Sequence, residues 1–141
     1  MAVENRSEQV RLTRRIASLK KDLAEGKARD VQPRKGNEVE LRLIAAVEGA
    51  EAAKAFAAKH GLRFFAHMVP RPPKRTGNRL LSGPDAALAA YRKEPSEQNL
   101  AALRAAILSD YEFHLGLRNR DNARALKNAE ARLRELQAVV Q

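Results

Sequence analysis

The sequence predicts a mainly α protein: a small helical bundle with coiled-coil-like helices at both ends and a proline-rich basic loop near the middle. Three observations lead there. Apolar residues recur at heptad spacing near each end of the chain. Only one short stretch carries strand-like residues, and a lone strand has nothing to pair with. Hydrophobic residues make up 44% of the chain but aromatics only 4%, so the core must come from Ala, Leu, Val and Ile at close helix contacts. A length of 141 residues suits a single domain. Within it the pattern divides into an N-terminal helical arm over 5–25, a linker over 27–36, and a helical body over 37–141 that contains the basic loop 69–82.

In the arm, Leu12, Ile16, Leu19 and Leu23 step by four, three and four, the seam of a coiled coil. Gly26 ends that pattern, and "KARDVQPRKG" carries two turn signals. Asn37 and Glu40 have capping-box spacing, which places a helix start there. Leu43, Ile44, Val47 and Phe56 give that helix an apolar face, with Gly49 marking a kink or a close contact. Gly61 suits the left-handed position after a helix, and Leu62 the hydrophobic residue that follows. The stretch "LRFFAHMVP" is the strand-like one, and extended packing across the helices is its expected role.

Beyond the loop, Gly83, Pro84 and Asp85 form a helix start, with Pro in the first turn and an acid beside it. Pro95 stops that helix near Glu94, and Ser96 caps the next one. Leu100, Leu103, Ile107, Tyr111 and His114 then share a face, on which His114 is expected to pack. Residues Gly116 to Asn119 either interrupt this helix or lie within one long helix. Leu126, Ala129, Leu133, Leu136 and Val140 form two interlocking sevenfold series. The two terminal seams are suited to pack on each other or to pair between subunits, and the sequence leaves both open.

Charge carries the functional reading. There are 27 Lys and Arg against 17 Asp and Glu, a formal net charge of +10. The excess is segregated: net +5 over 1–36, −1 over 37–61, +5 over 62–82, −2 over 83–117 and +3 over 118–141. A ligand that tracks a row of cations, above all an RNA or DNA backbone, matches this arrangement better than a uniformly solvated surface does. The loop contributes Arg71, Lys74, Arg75 and Arg79 with no acid among them. Arginine suits phosphate because its planar fork donates two hydrogen bonds at once. Gly77 and Asn78 can turn the chain, and the prolines lower the entropy lost on ordering. The N-terminal arm adds Arg14, Arg15, Lys20 and Lys21, and the last helix adds Arg120, Arg124 and Lys127. Arg63 precedes Phe64 and Phe65, and of two adjacent side chains on an extended segment at most one can face bases.

Other chemistry is thinly represented. There is no cysteine, so disulfides, thiol catalysis and Cys-based zinc sites are excluded. His60, His67 and His114 lie far apart in sequence, and His60 reads as a partner of a helix C-terminus. Neither a phosphate-binding glycine loop nor a nucleophile elbow occurs. Glu48 with Glu51, and Asp110 with Glu112, are not spaced to share one helix face squarely. No enzyme activity, cofactor or metal is therefore expected. The first residues lack the apolar core of a secretory signal, and no run reaches the roughly 18 apolar residues of a membrane span. A cytoplasmic protein with no membrane partner is expected.

These observations converge on largely sequence-independent nucleic-acid binding as an accessory subunit of a larger nucleoprotein complex. The alternative is a small basic adaptor or inhibitor, of phage or plasmid type, that occupies an acidic or nucleic-acid-binding surface on another protein.

Overall fold

Five α-helices and one 3-10 turn account for nearly all of the backbone in the computed structural model, which describes residues 2–70 and 83–140. The helices are α1 (Ala2–Arg29), α2 (Gln32–Val47), α3 (Ala50–His60), α4 (Gly83–Lys93) and α5 (Glu97–Val140), with the 3-10 turn at Ala66–Met68 between α3 and α4. The chain is thus mainly α, and no strand occurs among the described residues. Most of the basic loop, with Arg71, Lys74, Arg75 and Arg79, lies outside the described residues.

The chain divides into two compact units, residues 1–31 with 114–141, and residues 32–113. In the first, α1 runs antiparallel to the later part of α5. The Asn5 amide donates to the Leu136 carbonyl at 3.5 Å, Arg132 reaches Glu8 at 3.0 Å, and Gly26 lies against Asn119. Ile16 and Leu19 of α1 and Leu115, Ala129 and Leu136 of α5 are buried, with Leu12, Leu23, Leu126 and Leu133 half-buried beside them. The two terminal seams therefore meet within one chain. Gly26 does not end α1 as its residue type suggested. The helix continues to Arg29 because Gly26 sits where a Cβ would run into the Asn119 side chain, so the missing side chain serves a close approach and not a turn.

The linker expected over 27–36 shrinks to Asp30 and Val31, and α2 begins at Gln32 instead of Asn37. Pro33 occupies the first turn, where its missing N–H breaks no intrahelical bond, and Gly36 faces solvent with nothing near it. Along α2 the buried residues are Val39, Leu41, Leu43 and Ala45. At about 100° per residue they fall on two opposite sides, so α2 is the inner helix of this unit. On one side Leu41 and Ala45 join Ala53 and Ala57 of α3, and Leu62, Phe64, Met68 and Val69 close over that cluster. The strand-like stretch thus packs across the helices in extended form before its 3-10 turn.

Local punctuation follows the sequence closely elsewhere. Gly49, at φ 97°, separates α2 from α3, a break and not merely a kink. Gly61, at φ 66° and ψ 29°, ends α3, and the Leu62 N–H donates to the Ala57 carbonyl at 2.8 Å. The Ser96 hydroxyl accepts from the Asn99 N–H at 3.1 Å to open α5, while the Asn99 side chain donates to the Glu94 carbonyl at 2.8 Å just past α4.

Within the second unit α2 is tied to the first part of α5. Arg104 forms a two-pronged pair with Glu40 at 3.2 and 3.3 Å, and the Tyr111 hydroxyl donates to Glu38. The Arg42 guanidinium lies 5.3 Å from the Tyr111 ring centre. No break occurs at Gly116 to Asn119, and α5 runs through them. His114 is exposed, against the expectation that it packs, because the buried positions Leu103, Ile107, Tyr111 and Leu115 step by four and Leu115 takes the inner seat. Among the described residues, no helix is long and apolar enough to cross a membrane.

Candidate nucleic-acid interface

The division into units sharpens the charge segregation. The two-helix unit carries 14 basic and 8 acidic side chains, net +6. The described part of the other unit carries 9 of each and is neutral. The four cations of the loop make up the remaining excess.

On α5, Arg120, Arg124 and Lys127 are all exposed and stand at i, i+4 and i+7. This spacing puts them in one row on the side of the helix away from the buried Ala129 and Leu136. Arg134, a further seven residues on and also exposed, extends the row. Sequence reasoning passed over Arg134, although the heptad step from Lys127 was the signal that marks it. The row spans about 21 Å at 1.5 Å per residue. Ala131 fills its one neutral position, so the steps run four, three, four and three, matching the seam on the opposite side.

Asp121 and Glu130 stand beside the row on α5 but form no ion pair with it, and two further acids are engaged elsewhere. Glu8 and Glu135 both bind Arg132, at 3.0 and 3.2 Å. Arg132 donates to both, and the hydrogen bond to Glu8, then that to Glu135, raises its guanidinium above the ordinary pKa. Among the described residues no ion pair involves Arg120, Arg124, Lys127 or Arg134, which leaves the row free to meet an anion.

The predicted cations of α1 are differently placed. Arg14, Arg15, Lys20 and Lys21 are exposed, but they do not share a face. Arg14 and Lys21 stand opposite the Ile16–Leu19 side, and Arg15 and Lys20 flank it on either hand. Arg63 is exposed in the other unit. Beside it Phe64 packs into the α2–α3 cluster, whereas Phe65 is 48% exposed and stacks on His67 with ring centres 5.6 Å apart. The sequence expectation that only one of the two rings faces outward matches this geometry.

The second unit also holds a pocket of about 240 Å³ floored by Leu88, Leu103 and Ile107. Arg42 lines it together with Asp85 and Asp110, so its formal charge is negative and it adds nothing to the positive excess. Among the described residues no group of three His, Cys, Asp or Glu side chains gathers as a metal ligand set. Comparison with known protein families, characterised proteins and solved structures finds no match for this chain.

Proposed function

We propose that this chain is a non-enzymatic nucleic-acid-binding protein that grips the sugar–phosphate backbone with little regard to sequence. In this reading it serves in the cytoplasm as an accessory subunit of a larger nucleoprotein complex. The observation that carries the reading is the concentration of a net +6 in one two-helix unit while the described part of the other unit is neutral. Clustered cations release counterions when they meet phosphates together, which is the main source of sequence-independent affinity. The loop cations Arg71, Lys74, Arg75 and Arg79 are a second contact region in this proposal.

Fluorescence anisotropy with labelled oligonucleotides, titrated with salt from about 50 mM upward, tests the reading. Binding that weakens steeply with salt and varies little with sequence is expected. No detectable binding to any single- or double-stranded oligonucleotide at about 50 mM salt would end it. Replacing the four loop cations with Ala should flatten the salt dependence, and an unchanged slope would remove the loop from the interface.

A second reading, a basic adaptor or inhibitor of another protein, is favoured by one observation. Val3, Val10 and Val139 are 80%, 46% and 76% exposed on the same positive unit. Apolar side chains amid cations suit an acidic protein surface as well as a polyphosphate.

A further inference from the structure

We infer that the positive two-helix unit recognises double-helical nucleic acid, with the Arg120, Arg124, Lys127 and Arg134 row of α5 lying along the phosphates. The inference rests on the nucleic-acid reading above and goes further, to the class of ligand and the residues that meet it.

The first argument is what the unit contains. Residues 1–31 and 114–141 hold 14 basic side chains and not one Phe, Tyr or Trp. Proteins that hold single strands combine a cationic groove with aromatic platforms on which unpaired bases stack. Within the unit there are cations without platforms. The aromatic in line with the row on α5, Phe113, is exposed but stands beyond the cations, a heptad before Arg120, so none lies between them to hold a base. A duplex asks only for the cations, since its bases are already stacked on one another.

The second argument is geometry. The row is fixed in register because α5 is one continuous helix, and α1 packs against its opposite side through Ile16 and Leu19. Four cations held in line over about 21 Å match a stiff, regularly charged partner. A duplex presents roughly one phosphate charge per 1.7 Å of its axis, about a dozen over that length. A flexible single strand would have to be ordered along the row with no stacking to offset the entropy. Ala131 within the row leaves the helix surface low between Lys127 and Arg134, so the backbone can approach it.

The third argument is the absence of competition. Glu8 and Glu135 are bound to Arg132, Asp121 and Glu130 beside the row form no ion pair with it, and so no ion pair among the described residues must break before phosphate can bind.

The test uses the full chain with a 20-base-pair DNA duplex, the corresponding RNA duplex, and each of their non-self-complementary strands alone. Binding is read by anisotropy between 50 and 200 mM salt. At least one duplex should bind tenfold or more tightly than its own strands, and which duplex does so identifies the natural helix form. Four phosphate contacts give a slope of about −3.6 in log K against log salt, or about 150-fold between those two concentrations. The variant R120Q/R124Q/K127Q/R134Q should lose most of that slope while its helical circular dichroism is unchanged. The variant R14Q/R15Q/K20Q/K21Q removes the same charge from a scattered set on α1 and should lose clearly less. Equal losses in the two variants would overturn the row. Strands binding as tightly as duplexes would overturn the inference and leave the broader function standing, and Phe65→Leu abolishing that strand binding would place the ligand on the other unit. Failure of every oligonucleotide to bind would remove both proposals.

Discussion

Replacing Gly116 with Ala should stabilise the protein, and the size of the effect follows from three features of the site. Gly116 lies inside α5 and is exposed. No atom lies within 4 Å of where its Cβ would be, so the added methyl meets no neighbour. Its backbone is helical and is not among the glycines with positive φ. What remains is helix propensity, in which Gly is about 0.8–1.0 kcal/mol worse than Ala. With a urea dependence of about 2 kcal/mol per molar, the unfolding midpoint should rise by roughly 0.4–0.5 M. The assay is urea unfolding followed by far-UV circular dichroism, with the slope held common to both proteins. Gly116→Pro should cost about 3 kcal/mol or more and so lower the midpoint by roughly 1.5 M. An Ala variant no more stable than the parent would mean that α5 is not helical through this residue.

Three further substitutions probe the packing. Leu41→Ala should cost about 3–5 kcal/mol in urea unfolding, because Leu41 is 1% exposed and its partners Ala45, Ala53 and Ala57 are too short to fill the cavity. Tyr111→Phe should cost about 1–3 kcal/mol by removing the hydroxyl that donates to Glu38, measured in the same way and compared with Glu38→Gln in a double-mutant cycle. Gly26→Ala should destabilise by about 1–3 kcal/mol where Gly116→Ala stabilises, since its Cβ meets the Asn119 side chain. Its thermal midpoint should recover in a Gly26→Ala, Asn119→Ala double variant.

Much of the architecture was legible because it rests on local chemistry. Gly61 ends α3 and Ser96 opens α5 as their residue types require, and the heptad steps of Leu12 to Leu23 and Leu126 to Leu136 lie on the facing sides of α1 and α5. The misreadings came from residues with two uses. Pro33 and Gly36 look like a linker, yet the first turn tolerates Pro, and an exposed helical Gly costs only about 1 kcal/mol. Gly26 reads as a stop and acts as a contact point, which depends on Asn119, 93 positions away. Val39, Leu41 and Leu43 alternate as a strand would, because α2 is buried on two sides, and no single-face template detects that. On the candidate site, the row of Arg120, Arg124 and Lys127 was legible as helical spacing. The direction in which it faces was not, because that depends on which side of α5 meets α1.

The charge that makes the two-helix unit a candidate interface should also weaken it. Among the described residues only Ile16, Leu19, Leu115, Ala129 and Leu136 are buried apolar side chains there, and two of the unit's eight acids, Glu8 and Glu135, are engaged by Arg132 alone. A net +6 spread over two helices repels itself at low salt, where the screening length is about 30 Å at 0.01 M, and far less at 0.15 M, where it is about 8 Å. Added sodium chloride should therefore raise the thermal midpoint of the free protein while it weakens binding to nucleic acid. A bound duplex supplies the screening itself, so the midpoint of the complex should be highest at low salt and should fall as salt dissociates it. The measurement is thermal unfolding at 10, 50 and 150 mM salt, with and without a saturating 20-base-pair duplex. Midpoints that both fall with salt would show that the positive excess is no burden on the free unit, and midpoints that both rise would show that it is not the means by which the unit binds.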